Sequence, residues 1–287
     1  MTNIIGFMQG RLSELVDNKI QAFPWSDWET EFVLAESIGF NLLEWTLDQD
    51  RLYENPIMTK KGRARIKQLS KLHDIFIPSL TGDCFMQAPF WKSDPQSQKT
   101  LKKDFLSICR AAADLAIELV VVPLVDNGSL ETRFQEDTLV VFMLENENFF
   151  KQLGIKIIFE IDYPPKEVAR FINRLTTQQF GINYDIGNSA AMGFDPVYEC
   201  KNYGNRILNV HIKDRVFKGT TVPLTTGDAD FSRAFSALSN VGYSGDFILQ
   251  TARAVDGEHV KVLKEYRLMA EDWVKTCTGQ HLSGPSD

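Results

Sequence analysis

Eight short apolar runs recur along this 287-residue chain, and most of them are followed by a longer segment with helical periodicity. Each run is rich in Val, Ile, Leu or Phe, and successive runs begin about 35 residues apart, the length of a strand with its helix. Strands that alternate with helices form parallel sheets, so this rhythm predicts an α/β fold. The predicted strands cover residues 3–8, 41–45, 75–80, 119–124, 155–161, 181–185, 207–212 and 246–250.

The eight repeats favour one closed barrel over an open, doubly wound sheet. No linker rich in Pro, Gly or Ser interrupts them, and the segment after the first strand lacks the GxGxxG spacing of a dinucleotide-binding fold. We therefore predict a single (β/α)8 TIM barrel over residues 1–278, with residues 279–287 as a C-terminal tail. Clear helical patterns occupy residues 29–39, 101–116, 168–175 and 232–241.

Charge and composition exclude several classes of partner. The chain carries 31 Lys and Arg against 38 Asp and Glu, a net charge of −7, which disfavours binding to nucleic acid or to an anionic membrane. No apolar run approaches the roughly 20 residues of a transmembrane helix, and the N-terminus lacks a signal-peptide pattern. The four cysteines are widely spaced without a CxxC pair, so we expect reduced thiols in a cytoplasmic protein.

Polar residues end the last four predicted strands. Glu160, Asp185, His211 and Gln250 follow the apolar runs of strands five to eight. In a parallel barrel the C-terminal strand ends surround the active site, so these side chains are expected at one mouth, where their oxygen and nitrogen atoms suit a divalent cation. Helix capping explains each carboxylate taken alone, but their joint placement on consecutive strands favours a functional site.

Further polar residues extend this predicted site. Glu44 ends strand two, and Asp83 follows strand three, where both could hydrogen-bond a substrate. Lys213 lies on the same face as His211, and Arg215 could reach a phosphate or a hydroxyl, with a solvated loop as the alternative. Asp230 is predicted to cap the helix over residues 232–241.

Five segments carry a resemblance to a known family. They resemble the xylose isomerase-like TIM barrel superfamily, the sugar phosphate isomerase and epimerase group, which also contains ketose 3-epimerases, inosose dehydratases and an endonuclease branch. The resemblance spans residues 155–253, and the N-terminal half matches more loosely through Asn41-Leu42-Leu43-Glu44. The segments are Phe159-Glu160, Tyr184-Asp185-Ile186-Gly187-Asn188, Val210-His211-Ile212-Lys213-Asp214-Arg215, Gly227-Asp228-Ala229-Asp230-Phe231 and Gly245-Asp246-Phe247-Ile248-Leu249-Gln250.

The resemblance implies one divalent ion, manganese, magnesium, cobalt or zinc, held by Glu160, Asp185 and His211. The fourth ligand position falls on Gln250, a departure from the glutamate of the family, and an amide oxygen brings no charge to the ion. Asn188 is a second departure, because many epimerases have a substrate-contacting histidine there. The substrate-binding residues expected on this basis are Glu44, Asn188, Lys213, Arg215 and Arg253.

The implied chemistry is proton transfer beside a carbonyl through an enediolate, on a sugar or sugar phosphate, with Glu160 as both ligand and base. Two-base epimerisation in this family uses the glutamates of strands five and eight, and Gln250 cannot act as a base. Glu160 is therefore expected to work alone or with another carboxylate such as Asp214 or Asp246. That arrangement suits one-base aldose–ketose isomerisation better than epimerisation.

Two alternatives stay open on the same site. One is a lyase that dehydrates a polyol or a keto sugar, and the other is a non-catalytic sugar-binding barrel with a degenerate metal site. An endonuclease is disfavoured, because that branch uses more histidines than the four of this acidic chain. Family members are often dimers or tetramers, but nothing in the sequence locates an interface, names the sugar or identifies the metal.

Overall fold

The strands close into a parallel barrel. The computed structural model describes residues 4–255 and 257–279, and within them eight parallel strands follow the order β1-β8-β7-β6-β5-β4-β3-β2 around the barrel. The predicted single (β/α)8 barrel is confirmed. The strands are β1 (Ile5–Met8), β2 (Leu43–Thr46), β3 (Ser79–Thr81), β4 (Leu119–Leu124), β5 (Lys156–Ile161), β6 (Phe180–Asp185), β7 (Ile207–Ile212) and β8 (Phe247–Leu249).

Helices surround the barrel and connect its strands. Short 3-10 turns supplement them, at Leu52–Glu54, Pro56–Met58, Phe90–Lys92, Asp126–Gly128 and Gly204–Arg206. The α-helices are α1 (Thr30–Ser37), α2 (Lys60–His73), α3 (Asp83–Gln87), α4 (Pro95–Asp114), α5 (Arg133–Glu145), α6 (Glu147–Leu153), α7 (Pro165–Ile172), α8 (Ile186–Met192), α9 (Pro196–Tyr203), α10 (Phe231–Asn240) and α11 (His259–Gly279).

The differences from the predicted boundaries have local causes. The third strand is shorter than predicted, because Pro78 lacks the N–H that a central strand needs and β3 begins only at Ser79. Helix α4 starts before the predicted residue 101, because Asp94 accepts hydrogen bonds from the Gln96 and Ser97 amides and caps it. Asp230 caps α10 as predicted, through the Arg233 amide.

Some predicted features fall outside the described residues. They include Asn3, the first residue of the first predicted strand, and residues 280–287 of the predicted tail. Among the described residues, no helix is both long and apolar enough to cross a membrane. The four cysteines are all free and buried.

The core has two layers, one inside the barrel and one between the strands and the helices. Strand β6 is buried along its whole length, as expected of a barrel strand that is covered on both faces. In the outer layer the Phe105 ring of α4 lies 4.4 Å from that of Phe85 and 5.5 Å from that of Phe142, measured between centroids. This packing holds the strand ends at defined positions around the mouth.

A buried glutamate anchors the loop after β1. The carboxylate of Glu31 in α1 accepts hydrogen bonds from the Gly10 amide and the Leu12 amide, each at 2.9 Å. Gly10 has a φ of +91°, a conformation that side-chain-bearing residues rarely adopt. Burial raises the pKa of Glu31 to about 7, against the smaller opposing effect of these amide hydrogen bonds. The anchor fixes the backbone on both sides of Arg11.

A small hairpin follows β7, formed by Asp214–Arg215 and Thr221–Val222. The buried Asp214 carboxylate accepts hydrogen bonds from the Gly227 amide at 2.9 Å and from the Ala229 amide at 3.1 Å. The hairpin is thereby tied to the segment that leads into α10, and it stands at the mouth of the barrel beside β7.

The raised pKa of Glu31 predicts a pH dependence of stability. The folded protein holds this proton more tightly than the unfolded chain, so the contribution of Glu31 is fully present below pH 4.5 and is lost as pH rises towards 7. Glu31→Gln should remove up to about 3 kcal/mol of this pH dependence of the unfolding free energy. Urea denaturation at pH 5 and pH 7.5 measures it, with Glu145→Gln, an exposed residue at the end of α5, as control. Equal pH dependence in wild type and Glu31→Gln would contradict the assignment.

Candidate active site

Three of the predicted residues meet at the C-terminal mouth of the barrel. Glu160 of β5, Asp185 of β6 and His211 of β7 each place a potential ligand atom within 4.8 Å of the others. Asp185 and His211 are direct partners in the strand register, so the parallel pairing itself brings them together. All three residues are at least 95% buried. Two carboxylates and an imidazole in this arrangement are a suitable ligand set for a divalent cation.

Glu44 holds the imidazole of His211 in place. His211 Nε2 lies 2.8 Å from Glu44 Oε1, and Nδ1 lies 3.4 Å from Glu160 Oε2 and 3.9 Å from Asp185 Oδ2. The Glu44 carboxylate also accepts hydrogen bonds from the Ser79 and Thr81 hydroxyls, at 2.6 and 2.7 Å. A histidine fixed through one nitrogen presents the other in a defined direction, here towards the two carboxylates.

The electrostatics of the cluster favour a positive charge beside His211 Nδ1. Burial lowers the pKa of His211, but Glu44 and Glu160 outweigh it and raise the pKa to about 10. Burial raises the pKa of Asp185, whereas His211 and Lys213 overcome the burial effect at Glu160 and lower its pKa. The site therefore stabilises cationic charge, whether a proton or a metal ion.

Two amides position Glu160. Asn183 Nδ2 lies 3.2 Å from Glu160 Oε2 and 3.1 Å from His211 Nδ1, and Asn188 Nδ2 donates to Glu160 Oε1. Asn188 is held in turn by the Asp185 carboxylate, which accepts from its backbone amide at 2.8 Å, and by Arg215 Nη1, which donates to its Oδ1 at 2.8 Å. Arg215 thus reaches Glu160 only through Asn188.

The ammonium group of Lys213 lies between Asp185 and Gln250. Its Nζ is 2.6 Å from Asp185 Oδ2 and donates a hydrogen bond to Gln250 Oε1 at 3.0 Å. The Asp185 contact is a buried ion pair, so the ammonium group is the cation beside Asp185 Oδ2 in this structure. The amide oxygen of Gln250 is therefore directed at Lys213 in this structure.

An open cavity of about 770 Å³ lies over the cluster. It is large enough for a small sugar. Its lining includes the candidate base Glu160 and three of the residues that were expected to bind substrate, which are Asn188, Lys213 and Arg215, and it also includes Gln250.

Two residues that were predicted to bind substrate have other roles. Glu44 is completely buried, contacts His211 and is not part of the cavity lining, so the structure gives it a supporting position instead of a place facing the cavity. Arg253 is turned away to the loop after β1, where its Nη2 donates to the Ser13 carbonyl. The reason is that barrel closure places β2 and β8 beside β1, which the strand sequences alone do not show.

The proposed alternative bases, Asp214 and Asp246, are also corrected. Asp214 binds backbone amides of the segment before α10. Asp246 precedes β8 and accepts from the Ile4 amide, so it lies at the N-terminal end of the barrel, opposite the mouth. Neither carboxylate is available to a substrate above Glu160.

Several residues of the site were not among those predicted from the sequence. Asn183 and Asn209 lie two positions before Asp185 and His211, so strand alternation puts each pair on one face, and this signal could have identified them. Asn209 Nδ2 donates to Glu44 Oε2 at 3.0 Å. Arg11 also lines the cavity, but no strand-end pattern marks it, because it follows β1 in a loop.

The position of Glu44 predicts its effect on metal affinity. Glu44→Gln should weaken Mn²⁺ binding by about tenfold or more, because a neutral amide holds His211 less firmly and lowers its basicity. Isothermal titration with Mn²⁺ measures the change. Glu36→Gln is the matched control, because Glu36 Oε2 contacts His73 Nδ1 at 2.7 Å on the protein surface. An unchanged affinity in Glu44→Gln would rule out the supporting role.

The fold and sequence have named relatives. L-ribulose-5-phosphate 3-epimerase UlaE of Shigella flexneri serotype 5b (strain 8401) is 24% identical over 268 residues, covering 86% of this chain and 89% of the relative. A solved L-ribulose 3-epimerase superposes with a TM-score of 0.75 at 16% identity over 100% of both chains. The IOLI protein, solved with a zinc atom, superposes with a TM-score of 0.70 at 19% identity, covering 98% and 100% of the two chains.

These matches define the class of the protein. Because the curated relative is an epimerase that aligns over most of both chains, the chain is an enzyme of the isomerase and epimerase kind. The two solved structures show that it shares their fold. The family model described as xylose isomerase-like TIM barrel matches residues 32–270, which include every strand from β2 to β8. The resemblance found in the sequence is thus confirmed, and the chain belongs to the xylose isomerase-like TIM barrel family.

Proposed function

We propose that the protein is a divalent-metal-dependent ketose epimerase, and that Glu160 removes the proton from the carbon beside the carbonyl. The observation that carries this proposal is the buried convergence of Glu160, Asp185 and His211, of which Glu160 lines the open cavity. The 3-epimerases among the relatives support the reaction class. The buried free cysteines and the lack of a membrane-spanning helix among the described residues are consistent with a cytoplasmic enzyme.

The donor set fits a divalent ion. The buried Asp185 Oδ2 already accommodates a cation, the Lys213 ammonium at 2.6 Å, and His211 Nδ1 is directed at the same carboxylate. Glu160, Asp185 and His211 would hold the ion, and Gln250 would join them only after Lys213 releases its amide oxygen. A bound ion would supply positive charge beside the substrate oxygens, which makes the neighbouring C–H bond more acidic.

Glu160 is suited to proton abstraction. The two amides of Asn183 and Asn188 hold its oxygens, and its lowered pKa keeps the carboxylate ionised at neutral pH. A base must be fixed and unprotonated before it can accept a proton from carbon. Lys213 and Arg215 line the same cavity and would bind substrate oxygens, while Asn188 links Arg215 to Glu160.

Gln250 affects how the opposite face of the reacting carbon can be protonated. Its amide is no base, so the proton that inverts the carbon would reach the opposite face from solvent in the open cavity. The same base would lead to aldose–ketose isomerisation if it removed a proton from C1 of the ketose and that proton returned to C2. Product analysis by NMR in D₂O separates the two, because an epimerisation retains the ketone position and an isomerisation moves it.

The proposal predicts one metal ion per chain. Elemental analysis should find one equivalent of Mn, Mg, Co or Zn in the purified protein, and Asp185→Ala and His211→Ala should each reduce it to less than about a tenth. Loss of a first-sphere ligand leaves too few donors to retain the ion. A protein that takes up no ion when Mn²⁺, Co²⁺ or Zn²⁺ is added would favour the non-catalytic sugar-binding alternative.

The proposal also predicts the effect of removing the base. Glu160→Gln should lower turnover of ketoses by at least about a hundredfold, because the amide cannot accept the substrate proton. The assay follows incorporation of solvent deuterium beside the carbonyl. Glu145→Gln on the exposed side of α5 is the control. If Glu160→Gln folds normally and retains activity, another residue is the base.

A further inference from the structure

Two buried charged side chains at the mouth of the barrel each have a polar atom without a hydrogen-bond partner among the described residues. Arg11 and Asp83 are each 5% exposed, and both line the cavity that contains Glu160. Arg11 Nε donates to the Thr251 carbonyl at 2.8 Å, but its Nη1 has no acceptor within the described part of the chain. Asp83 Oδ2 likewise has no donor among these residues. Unpaired buried charges cost free energy, so a pair of them in one cavity calls for a ligand.

The two groups face the metal-binding cluster across the mouth. Arg11 follows β1, which lies four positions from β5 in the closed barrel, and Asp83 follows β3, which lies four positions from β7. Glu160 and His211 belong to those opposite strands. A substrate whose reacting carbon lies at Glu160 therefore extends its far end towards Arg11 and Asp83.

The chemistry of this pair matches a hydroxyl group. A guanidinium only donates hydrogen bonds and a carboxylate accepts them, whereas a hydroxyl does both at once. A phosphate dianion only accepts, and it would add negative charge next to Asp83 and to Asp126, which lines the same cavity.

We propose that Arg11 and Asp83 form a subsite that binds the terminal hydroxyl of a ketose and selects against a terminal phosphate. Arg11 Nη1 donates to the hydroxyl oxygen, and Asp83 Oδ2 accepts its proton in a hydrogen bond. The subsite rests on the proposed ketose epimerase function and adds to it the class of substrate, an unphosphorylated ketose. Lys213 and Arg215 lie on the β7 side of the cavity and do not take part in this contact.

The experiment compares three ketoses with the Mn²⁺-loaded protein. The kcat/KM values for L-ribulose, 5-deoxy-L-ribulose and L-ribulose 5-phosphate are measured for wild type, Asp83→Asn and Arg11→Lys. Wild type should prefer L-ribulose over the deoxy analogue by about tenfold or more, and over the phosphate. Both variants should reduce the preference for the terminal hydroxyl to near unity. Asp74→Asn, an exposed residue at the end of α2, should retain it.

The outcomes separate this inference from the proposed function. The subsite is overturned if folded Asp83→Asn and Arg11→Lys keep the wild-type preference, or if wild type favours the phosphate. Thermal unfolding by circular dichroism establishes that the variants fold, and Arg11→Lys keeps the charge if Asp83→Asn does not fold. If wild type epimerises none of the three ketoses, the proposed function fails. Calorimetry still measures whether L-ribulose binds more tightly than its deoxy analogue, so the subsite is tested separately. Binding of neither ketose overturns both.

Discussion

The arrangement of this active site depends on one buried carboxylate. Glu44 of β2 accepts from Ser79 and Thr81 of β3, and on the far side of the barrel interior it contacts His211 and Asn209 of β7. It thus joins three strands inside the barrel, and its cost of burial is offset by four hydrogen-bond partners. The burial effect on its pKa is outweighed by His211 and the two hydroxyls, which lower it. Every function proposed for His211 requires this contact.

The rest of the mouth is organised by charge. The β5–β7 side gathers two carboxylates around His211 and Lys213, and this side stabilises a cation. The side formed by the ends of β1 and β3 holds Arg11 and Asp83, and each has a buried polar atom without a partner in the part of the chain that the structure describes. The proposed substrate would match both sides. Its carbonyl would lie beside the cation-stabilising cluster, and its terminal hydroxyl would hydrogen-bond Arg11 and Asp83.

Three of the four residues predicted as metal ligands came from a local pattern, and the structure brings them together. Glu160, Asp185 and His211 end apolar strands, and parallel pairing necessarily brings strand ends to one edge. Arg253 and Glu44 could not be placed in this way, because their roles depend on contacts with distant segments. The Glu44 contact with His211 spans 167 residues, and the Arg253 contact with Ser13 spans 240.

The sequence by itself determined the barrel, the order of its strands along the chain and the three residues that converge at the mouth. These follow from local alternation and from the repeat of strand and helix, which short segments encode. Only the tertiary structure decided that Glu44 supports His211, that Lys213 occupies the amide of Gln250, and that Arg11 and Asp83 share one cavity. Closure of the barrel creates these contacts, because it joins residues that no local pattern relates.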